Sequence, residues 1–201
     1  LRFAGGSNRL STSATVTIGN GAVLDLNDQD QTVGYIGSAA GGTIALGSGT
    51  LSVQSGDLYG SITGSGSLVM PNGAWSVALR GANLYAGATT INSGTLIAAT
   101  PLPETTAVTL ENGFSTRLQC ECSQKIASLS GVGVVALNPL AATFTVGDDT
   151  NTTFAGNITG SGTIVKTGSG VLTLSGINGC SGPVRIDAGT LRLSGGVNRL
   201  P

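Results

Sequence analysis

Short runs of alternating apolar and polar residues recur along the chain, and glycine separates them. In Val171–Leu174 and Thr190–Leu193 the second and fourth residues are leucine, and the third is the polar Thr173 or Arg192. Side chains alternate between the two faces of a strand, so this pattern predicts strands of about four residues with one dry and one wet face. With 33 glycines and many Ser and Thr residues, no window shows helical periodicity. The sequence therefore predicts an all-β chain of short strands joined by glycine turns.

One long segment occurs twice. Residues 62–99 and 158–195 both begin with ITGSG and contain SGTL or AGTL near their end. The opening motifs lie 96 residues apart and the closing motifs 95 residues apart. Agreement over a whole segment indicates repeat architecture.

The two ends of the chain also match each other. Residues 1–10, LRFAGGSNRL, and 191–200, LRLSGGVNRL, agree at seven of ten positions with a spacing of 190 residues. This spacing is twice the 95 residues that separate the internal copies. We therefore expect one domain, 1–201, made of two copies at about 5–99 and 100–194, and we interpret the chain as a fragment of a longer array.

Equivalent strands can be assigned in the two copies. Thr15–Ile18 and Ala107–Leu110 each precede an Asn-Gly pair, in which Asn20 and Asn112 are predicted to be structural. Asn-Gly supplies the positive φ that a sharp corner requires. The apolar side chains that should point inward lie at matching places in the two copies: Val33, Ile36, Ile44, Leu46, Leu51 and Val53 in the first, and Ile126, Leu129, Val134, Leu137, Phe144 and Val146 in the second.

The motifs of residues 158–195 occur in the order GSG, TGSG, L-x-L-S-G-x-N, SG and D-AGTL-x-L. This order resembles the passenger-associated repeat of bacterial autotransporters, proteins that carry their own outer-membrane pore, and residues 62–99 resemble it more loosely. Cys180 departs from the pattern, because the earlier copy has Tyr85 there and the family usually has an aromatic residue. The resemblance implies a right-handed, single-stranded parallel β-helix, exported through the outer membrane to the bacterial cell surface.

A solenoid of this kind would have turns of about 18–25 residues, and hence roughly nine or ten turns in this chain. Stacking of successive turns would then bury the inward residues. Residues 99–104, ATPLPE, are expected to leave the sheet as a surface excursion, because proline cannot donate a hydrogen bond to a strand ladder.

Composition excludes several functions. Charged residues make up 9% of the chain and the net charge is −1, so there is no basic surface for nucleic acid. No apolar run approaches the about 18 residues of a spanning helix, so direct membrane insertion by this segment is not expected. The chain contains no histidine, which removes Ser-His-Asp triads and the usual zinc sites. We therefore predict no catalytic residues, no metal and no cofactor.

The acidic residues that could form a pair are Asp28 with Asp30 and Asp148 with Asp149. Paired carboxylates hydrolyse glycosides when they are held about 5–9.5 Å apart. Asp148 and Asp149 lie in a predicted turn, however, where aspartate is favoured by hydrogen bonds to its own backbone. We interpret the acidic residues as turn residues.

Cys120 and Cys122 are candidates for a disulfide. In an extended strand, residues i and i+2 have Cα atoms about 6.6–6.8 Å apart, which is the upper limit for a bridge, so the chain would have to bend. The resemblance to passengers implies that a closely spaced pair is compatible with crossing a pore unfolded. A bridge, two free buried thiols and a metal site all remain open, and Cys180 is expected to be an unpaired small buried residue.

Three functions are compatible with these features. The first is a binding or display role at the cell surface, in adhesion to a host cell or matrix or in self-association with another copy. The second is a passive stalk for a distal domain, and the third is a polysaccharide-cleaving β-helix. An adhesin should have a patch that departs from the repeat, a stalk should lack one, and an enzyme should have a cleft with convergent carboxylates.

Overall fold

The structure of the protein is a computed structural model that describes residues 1–2, 5–138 and 142–195. These residues form 24 short β-strands and one turn of 3-10 helix, Gly113–Ser115, and no longer helix. The strands are labelled β1 to β24 in chain order. They follow one another around three sides of a coil, which we call face 1, face 2 and face 3.

Face 1 contains the first halves of β3 (Gln31–Ser38) and β5 (Leu51–Leu58), then β7 (Leu68–Met70), β10 (Thr89–Ile91), β12 (Ala107–Leu110), β15 (Ser128–Gly131), β18 (Thr152–Phe154), β21 (Val171–Leu174) and β24 (Thr190–Leu193). Face 2 contains β1 (Thr15–Ile18), the second halves of β3 and β5, β8 (Ser76–Leu79), β11 (Gly94–Ala98), β13 (Thr116–Cys120), β16 (Val134–Leu137), β19 (Asn157–Gly160) and β22 (Gly179–Cys180). Face 3 contains β2 (Val23–Asp25), β4 (Thr43–Ala45), β6 (Ser61–Gly64), β9 (Asn83–Tyr85), β14 (Gln124–Ile126), β17 (Thr143–Val146), β20 (Thr163–Lys166) and β23 (Val184–Ile186).

Strands on one face are parallel and pair with the strands one turn before and one turn after. Partner residues lie 17 positions apart where Leu51 pairs with Leu68 and 23 positions apart where Val134 pairs with Asn157. The chain makes about nine turns. The prediction of an all-β chain that coils into a parallel β-solenoid is confirmed.

The interior contains the apolar side chains that the alternation predicted. All twelve residues named above as inward are buried, and eleven of them pack in the core. The prediction was wrong for Val134, which pairs with Arg117 and Asn157 on the outer side of β16, whereas its neighbour Val135 points inward. Leu172 is buried as well, but Leu191 is only partly buried and Leu193 is 45% exposed. Both leucines lie in β24, the last strand of the face 1 ladder, so no further strand of the described ladder covers them.

Face 3 is interrupted at residues 100–105, which form no strand. The interruption divides this face into two separate four-stranded sheets, β2-β4-β6-β9 and β14-β17-β20-β23. Pro101 and Pro103 lie in the gap, as expected of residues that lack a backbone donor. The predicted departure from the ladder is therefore correct, but the stretch is not wholly a surface excursion, because Leu102 between the prolines is 2% exposed and packs in the core.

The two sequence copies lie on different faces of the coil. Residue Ile62 is in β6 on face 3, whereas the matching Ile158 is in β19 on face 2. Likewise Leu96 is in β11 on face 2, and the matching Leu191 is in β24 on face 1. The repeat unit is thus not a whole number of turns, and the second copy is rotated by one face. The limits of the two copies stay a prediction.

Asn-Gly pairs form corners in both copies. Gly21 and Gly113 have φ of 72° and 57°, the left-handed conformation that glycine adopts without strain. The amide of Asn112 donates hydrogen bonds to the side-chain oxygen of Asn72, at 2.8 Å, and to the backbone oxygen of Asn92. Asn112 therefore connects three successive corners, in agreement with its predicted structural role.

Gly156 marks a corner where successive turns approach closely. A Cβ atom at this position would lie 1.9 Å from the backbone oxygen of Gly133, in the preceding turn. One turn later, a Cβ at Gly176 would lie 1.7 Å from the oxygen of Gly156. Three glycines are thus stacked at this corner because no side chain fits between the backbones.

Candidate functional site

A buried glutamine forms hydrogen bonds to the strandless residues that interrupt face 3. Gln124 is 2% exposed, and its side-chain oxygen accepts a hydrogen bond of 2.8 Å from the backbone N–H of Leu102. Its amide nitrogen lies 3.4 Å from the oxygen of Thr100 and 3.2 Å from the sulfur of Cys122. A buried backbone N–H without a partner costs free energy. The glutamine side chain thus replaces the hydrogen bond that a neighbouring strand would have given.

The same arrangement occurs in the first copy. Gln31 is 1% exposed, and its side-chain oxygen accepts hydrogen bonds from the N–H groups of Arg9, at 2.8 Å, and Leu10, at 3.3 Å. Gln31 corresponds to Gln124 in sequence, and the residues that it contacts, Arg9 and Leu10, also lie outside any strand. Each copy therefore contains a strandless stretch fixed by a buried glutamine. The matching glutamines were visible in the sequence, but their role was missed.

An open groove of about 710 Å³ lies over the interruption of face 3. We call it the gap groove, and it is lined by residues 80–86 and 100–105. Leu84 points outward from β9 in the groove and is 65% exposed. Pro101 and Pro103 lie beside it, so the lining is mainly apolar. The gap groove is a clear departure from the regular outer surface of the solenoid.

Charged side chains lie at the rim of the gap groove. The Nε of Arg80 donates a hydrogen bond of 2.8 Å to Asp57, and the guanidinium lies 5.7 Å from the ring centre of Tyr59. The hydrogen bond to Asp57 and the charge of Asp57 raise the pKa of Arg80. Glu104 and Lys125 form a second ion pair, 2.6 Å from nitrogen to oxygen. Both pairs are exposed and add little stability, but they give the groove a polar edge.

Of the four acidic residues named above as possible pairs, Asp28, Asp30 and Asp148 accept hydrogen bonds at turns. Asp28 accepts a hydrogen bond of 2.8 Å from the N–H of Ser48 in the next turn, and Asp30 accepts one in the same way. Asp148 accepts hydrogen bonds from the N–H and hydroxyl groups of Thr150, at 2.8 and 2.6 Å. In the described part of the chain, no three His, Cys, Asp or Glu side chains are grouped so that they could hold a metal ion.

Lys166 is a buried residue whose role was not predicted from the sequence, although it directly precedes the TGSG motif. It is 1% exposed, and its Nζ donates hydrogen bonds to the backbone oxygens of Thr167, of Gly168 at 3.0 Å, and of Ala188 at 3.4 Å. Burial lowers the pKa of Lys166. The ammonium group therefore joins a corner of one turn to the corner of the next.

The cysteines are free thiols in the structure. Cys120 is buried at the end of β13, and Cys122 is partly buried beyond a bend at Glu121. Burial raises the pKa of Cys120 to about 12, and burial also raises the pKa of Cys122. Cys180 is buried in β22, and its thiol lies 3.2 Å from the backbone oxygen of Gly162. The Cys120–Cys122 bridge stays a prediction.

A chain folded under oxidising conditions is expected to contain a Cys120–Cys122 bridge and a free Cys180. The thiolate attacks in disulfide formation, and the raised pKa of Cys120 makes thiolate rare in the folded chain. The bridge should therefore form during folding and not after it. Mass spectrometry of a non-reduced digest decides the pairing, and a disulfide from Cys180 to either of the other cysteines would contradict it.

The described structure is a parallel β-solenoid built from repeats, and the gap groove lies on its outer surface. The family model of the passenger-associated-transport-repeat matches residues 63–98 and 164–193. A stretch of 102 residues is 43% identical to the protein named adhesin BmaC autotransporter from Brucella suis biovar 1 (strain 1330). No solved structure matches the chain. Residues 63–98 and 164–193 thus match passenger-associated repeats, in agreement with the resemblance to autotransporter passengers.

The aligned stretch covers 47% of this chain and 3% of the Brucella protein, so the chain spans a small part of its relative. Both similarities support the predicted location, which is export through the outer membrane to the cell surface. The predicted resemblance and the predicted location are thus confirmed. Among the described residues, no helix is long and apolar enough to cross a membrane. The two matched segments contain β7–β11 and β20–β24, the same succession of five strands, displaced by one face.

Proposed function

We propose that this part of the passenger has an adhesive role, and that the gap groove binds a protein on an opposing host-cell or matrix surface. The observation that supports the proposal is the groove itself, because an adhesin should depart from the regular repeat where it makes contact. The relative from Brucella is named an adhesin, which agrees with this role. The groove occupies one part of the chain, where face 3 has no strand.

The composition of the gap groove favours a protein partner. Leu84 and the two prolines form an apolar centre, and two ion pairs, Arg80 with Asp57 and Glu104 with Lys125, lie at its edge. Protein interfaces have this arrangement of an apolar centre within a polar rim. The opposite charges at the rim do not select a strongly acidic or basic partner. The centre would therefore supply affinity and the rim would set orientation.

A stalk with no binding role is the second candidate, because most of the outer surface is regular. The enzymatic hypothesis has less support, since the acidic residues described above serve in turns and line no common cleft. Neither alternative gives the exposed Leu84 a role.

Leu84→Glu is expected to lower binding of the 201-residue chain to cultured epithelial cells and to a reconstituted basement-membrane coating at least tenfold. Covering a leucine side chain contributes about 1.5–3 kcal/mol, and about 1.4 kcal/mol is a factor of ten in affinity. Binding is measured by biolayer interferometry on the coating and by flow cytometry on the cells. Leu84 is 65% exposed, so the substitution should leave the fold unchanged.

Ile177→Glu is the matched control, because Ile177 is 67% exposed and lies outside the gap groove. It should bind as the unchanged chain does. Equal binding by all three chains, or no binding by any of them, would refute the proposed contact and favour the stalk. If sedimentation instead showed a dimer that Leu84→Glu dissociates, the partner would be a second copy, and the proposal of an opposing surface would be wrong.

A further inference from the structure

A second groove lies at the corner between faces 1 and 2, away from the gap groove. It has a volume of about 310 Å³. We call it the corner groove, and its lining comes from four successive turns: Ser13, Thr15, Gly34, Tyr35, Gln54, Ser55 and Trp75. Neither the family match nor the relative's name accounts for this surface.

Two aromatic side chains, Tyr35 and Trp75, line the corner groove. Trp75 is the single tryptophan of the chain and is 81% exposed. Such exposure is unusual for a side chain with so large an apolar surface. Tyr35 is 40% exposed, and its ring lies over Gly37, where a Cβ atom would be 3.2 Å from the ring. Glycine therefore allows this ring to lie along the sheet with its outer side open.

The remainder of the corner groove is neutral and polar. Among the residues that the structure describes, no charged residue lines it. The hydroxyl of Ser55 donates a hydrogen bond of 3.1 Å to the oxygen of Gly34 and keeps its lone pairs as acceptors. The side-chain amide of Gln54 makes no hydrogen bond to another described residue, so its donors and its acceptor are available to a ligand. Ser13 and Thr15 extend the polar lining by one turn beyond Tyr35, on the side away from Trp75.

The spacing of the two rings indicates an extended ligand. Tyr35 pairs with Ser55 one turn on, and the N–H of Trp75 bonds to the oxygen of Gln54 one turn further. The rings therefore originate two turns apart, which is about 10 Å at the usual ladder spacing. A ligand that touches both must be longer than one small ring and must pass over Gln54 and Ser55.

We infer that the corner groove binds a neutral oligosaccharide. A sugar ring has an apolar face of C–H groups that stacks on an aromatic ring, and its hydroxyl groups both donate and accept hydrogen bonds. The groove offers two aromatic rings with the amide of Gln54 and the hydroxyl of Ser55 on the turn between them, and its described lining carries no charge. A proline-rich peptide also binds aromatic grooves, but it has few hydrogen-bond donors for the polar row between the rings. The inference rests on a different surface from the gap groove and does not depend on the adhesive role.

The single tryptophan makes a direct test possible. The 201-residue chain is titrated with chitohexaose, cellohexaose, maltohexaose and mannohexaose, and with decaproline, while tryptophan fluorescence is recorded. At least one oligosaccharide is expected to produce a saturable change at millimolar concentration or below, and decaproline none. Tyr35→Ala should weaken this binding at least tenfold. Trp75→Ala should abolish it, as measured by calorimetry because the fluorescent group is lost.

Tyr59→Ala is the aromatic control, since Tyr59 is 49% exposed and lies outside the corner groove. It should bind the oligosaccharide as the unchanged chain does. The inference is overturned if no oligosaccharide binds at millimolar concentration, if binding is the same in Tyr35→Ala and Trp75→Ala as in the unchanged chain, or if only decaproline binds. These outcomes do not depend on the binding result for Leu84→Glu, because Leu84 lies in the gap groove.

Discussion

Replacing Leu172 by alanine is expected to speed hydrogen exchange in the last turns of the solenoid while the first turns keep their protection. Leu172 is buried in β21, where it pairs with Thr152 in the preceding turn and with Leu191 in the following one. Truncation of a buried leucine costs about 2–5 kcal/mol. Each turn of a solenoid contacts only its neighbours, so the loss of stability should remain local.

Hydrogen exchange followed by mass spectrometry measures this effect. In the unchanged chain, exchange should be fastest in the terminal turns and slowest around residues 62–96. In Leu172→Ala, exchange should increase in residues 158–195 and stay the same in residues 15–53. Thr173→Ala, in the same strand but on its outer side, should change little. If residues 15–53 lost protection as much as residues 158–195, the solenoid would unfold as one cooperative unit and the expectation of local stability would be wrong.

Gly156→Ala is expected to have the larger effect. A Cβ at this position would lie 1.9 Å from the backbone oxygen of Gly133, and backbone cannot rotate away as a side chain can. The two turns would have to separate, which breaks the ladder hydrogen bonds around them. We expect a loss of more than about 4 kcal/mol, a size seen in single substitutions only where a specific packing or backbone requirement is violated.

Thermal unfolding followed by circular dichroism compares Gly156→Ala with Gly19→Ala. Gly19 has open space around it and no left-handed φ, so alanine fits there. The midpoint should fall sharply for Gly156→Ala and hardly at all for Gly19→Ala. Similar midpoints for the two variants would show that the stacked turns can move apart without cost, which would contradict the close contact described at this corner.

The strands and the core could be predicted because they depend on local alternation. In a strand, the period of two decides which side chains point inward, and this was sufficient for eleven of the twelve predicted residues. Val134 lies three positions before Leu137 in β16, so the same period places it on the outer side. The alternation also placed Leu193 on the inner side, but it is 45% exposed. Alternation gives the direction of a side chain, whereas burial also requires a strand on the next turn.

The grooves could not be predicted, because they depend on what lies one turn away. The two prolines indicated a missing strand, but only the stacking of turns shows that Gln124 occupies its place and that Leu84 is left uncovered. Trp75 and Tyr35 are 40 residues apart in sequence. They line one groove because the lengths of the two turns between them place both residues at the same corner. The length of each turn varies from 17 to 23 residues, and sequence alone does not fix these lengths.

The displacement of the second copy by one face has a consequence for a longer array of the same unit. Because each unit ends one face away from where it began, equivalent residues of successive units would follow a screw path around the fibre axis. Three units would be needed before a residue type again pointed in its first direction. A row of such units would thus present the same feature to every side of the fibre, and contact with another surface would not depend on how the fibre is rotated about its long axis.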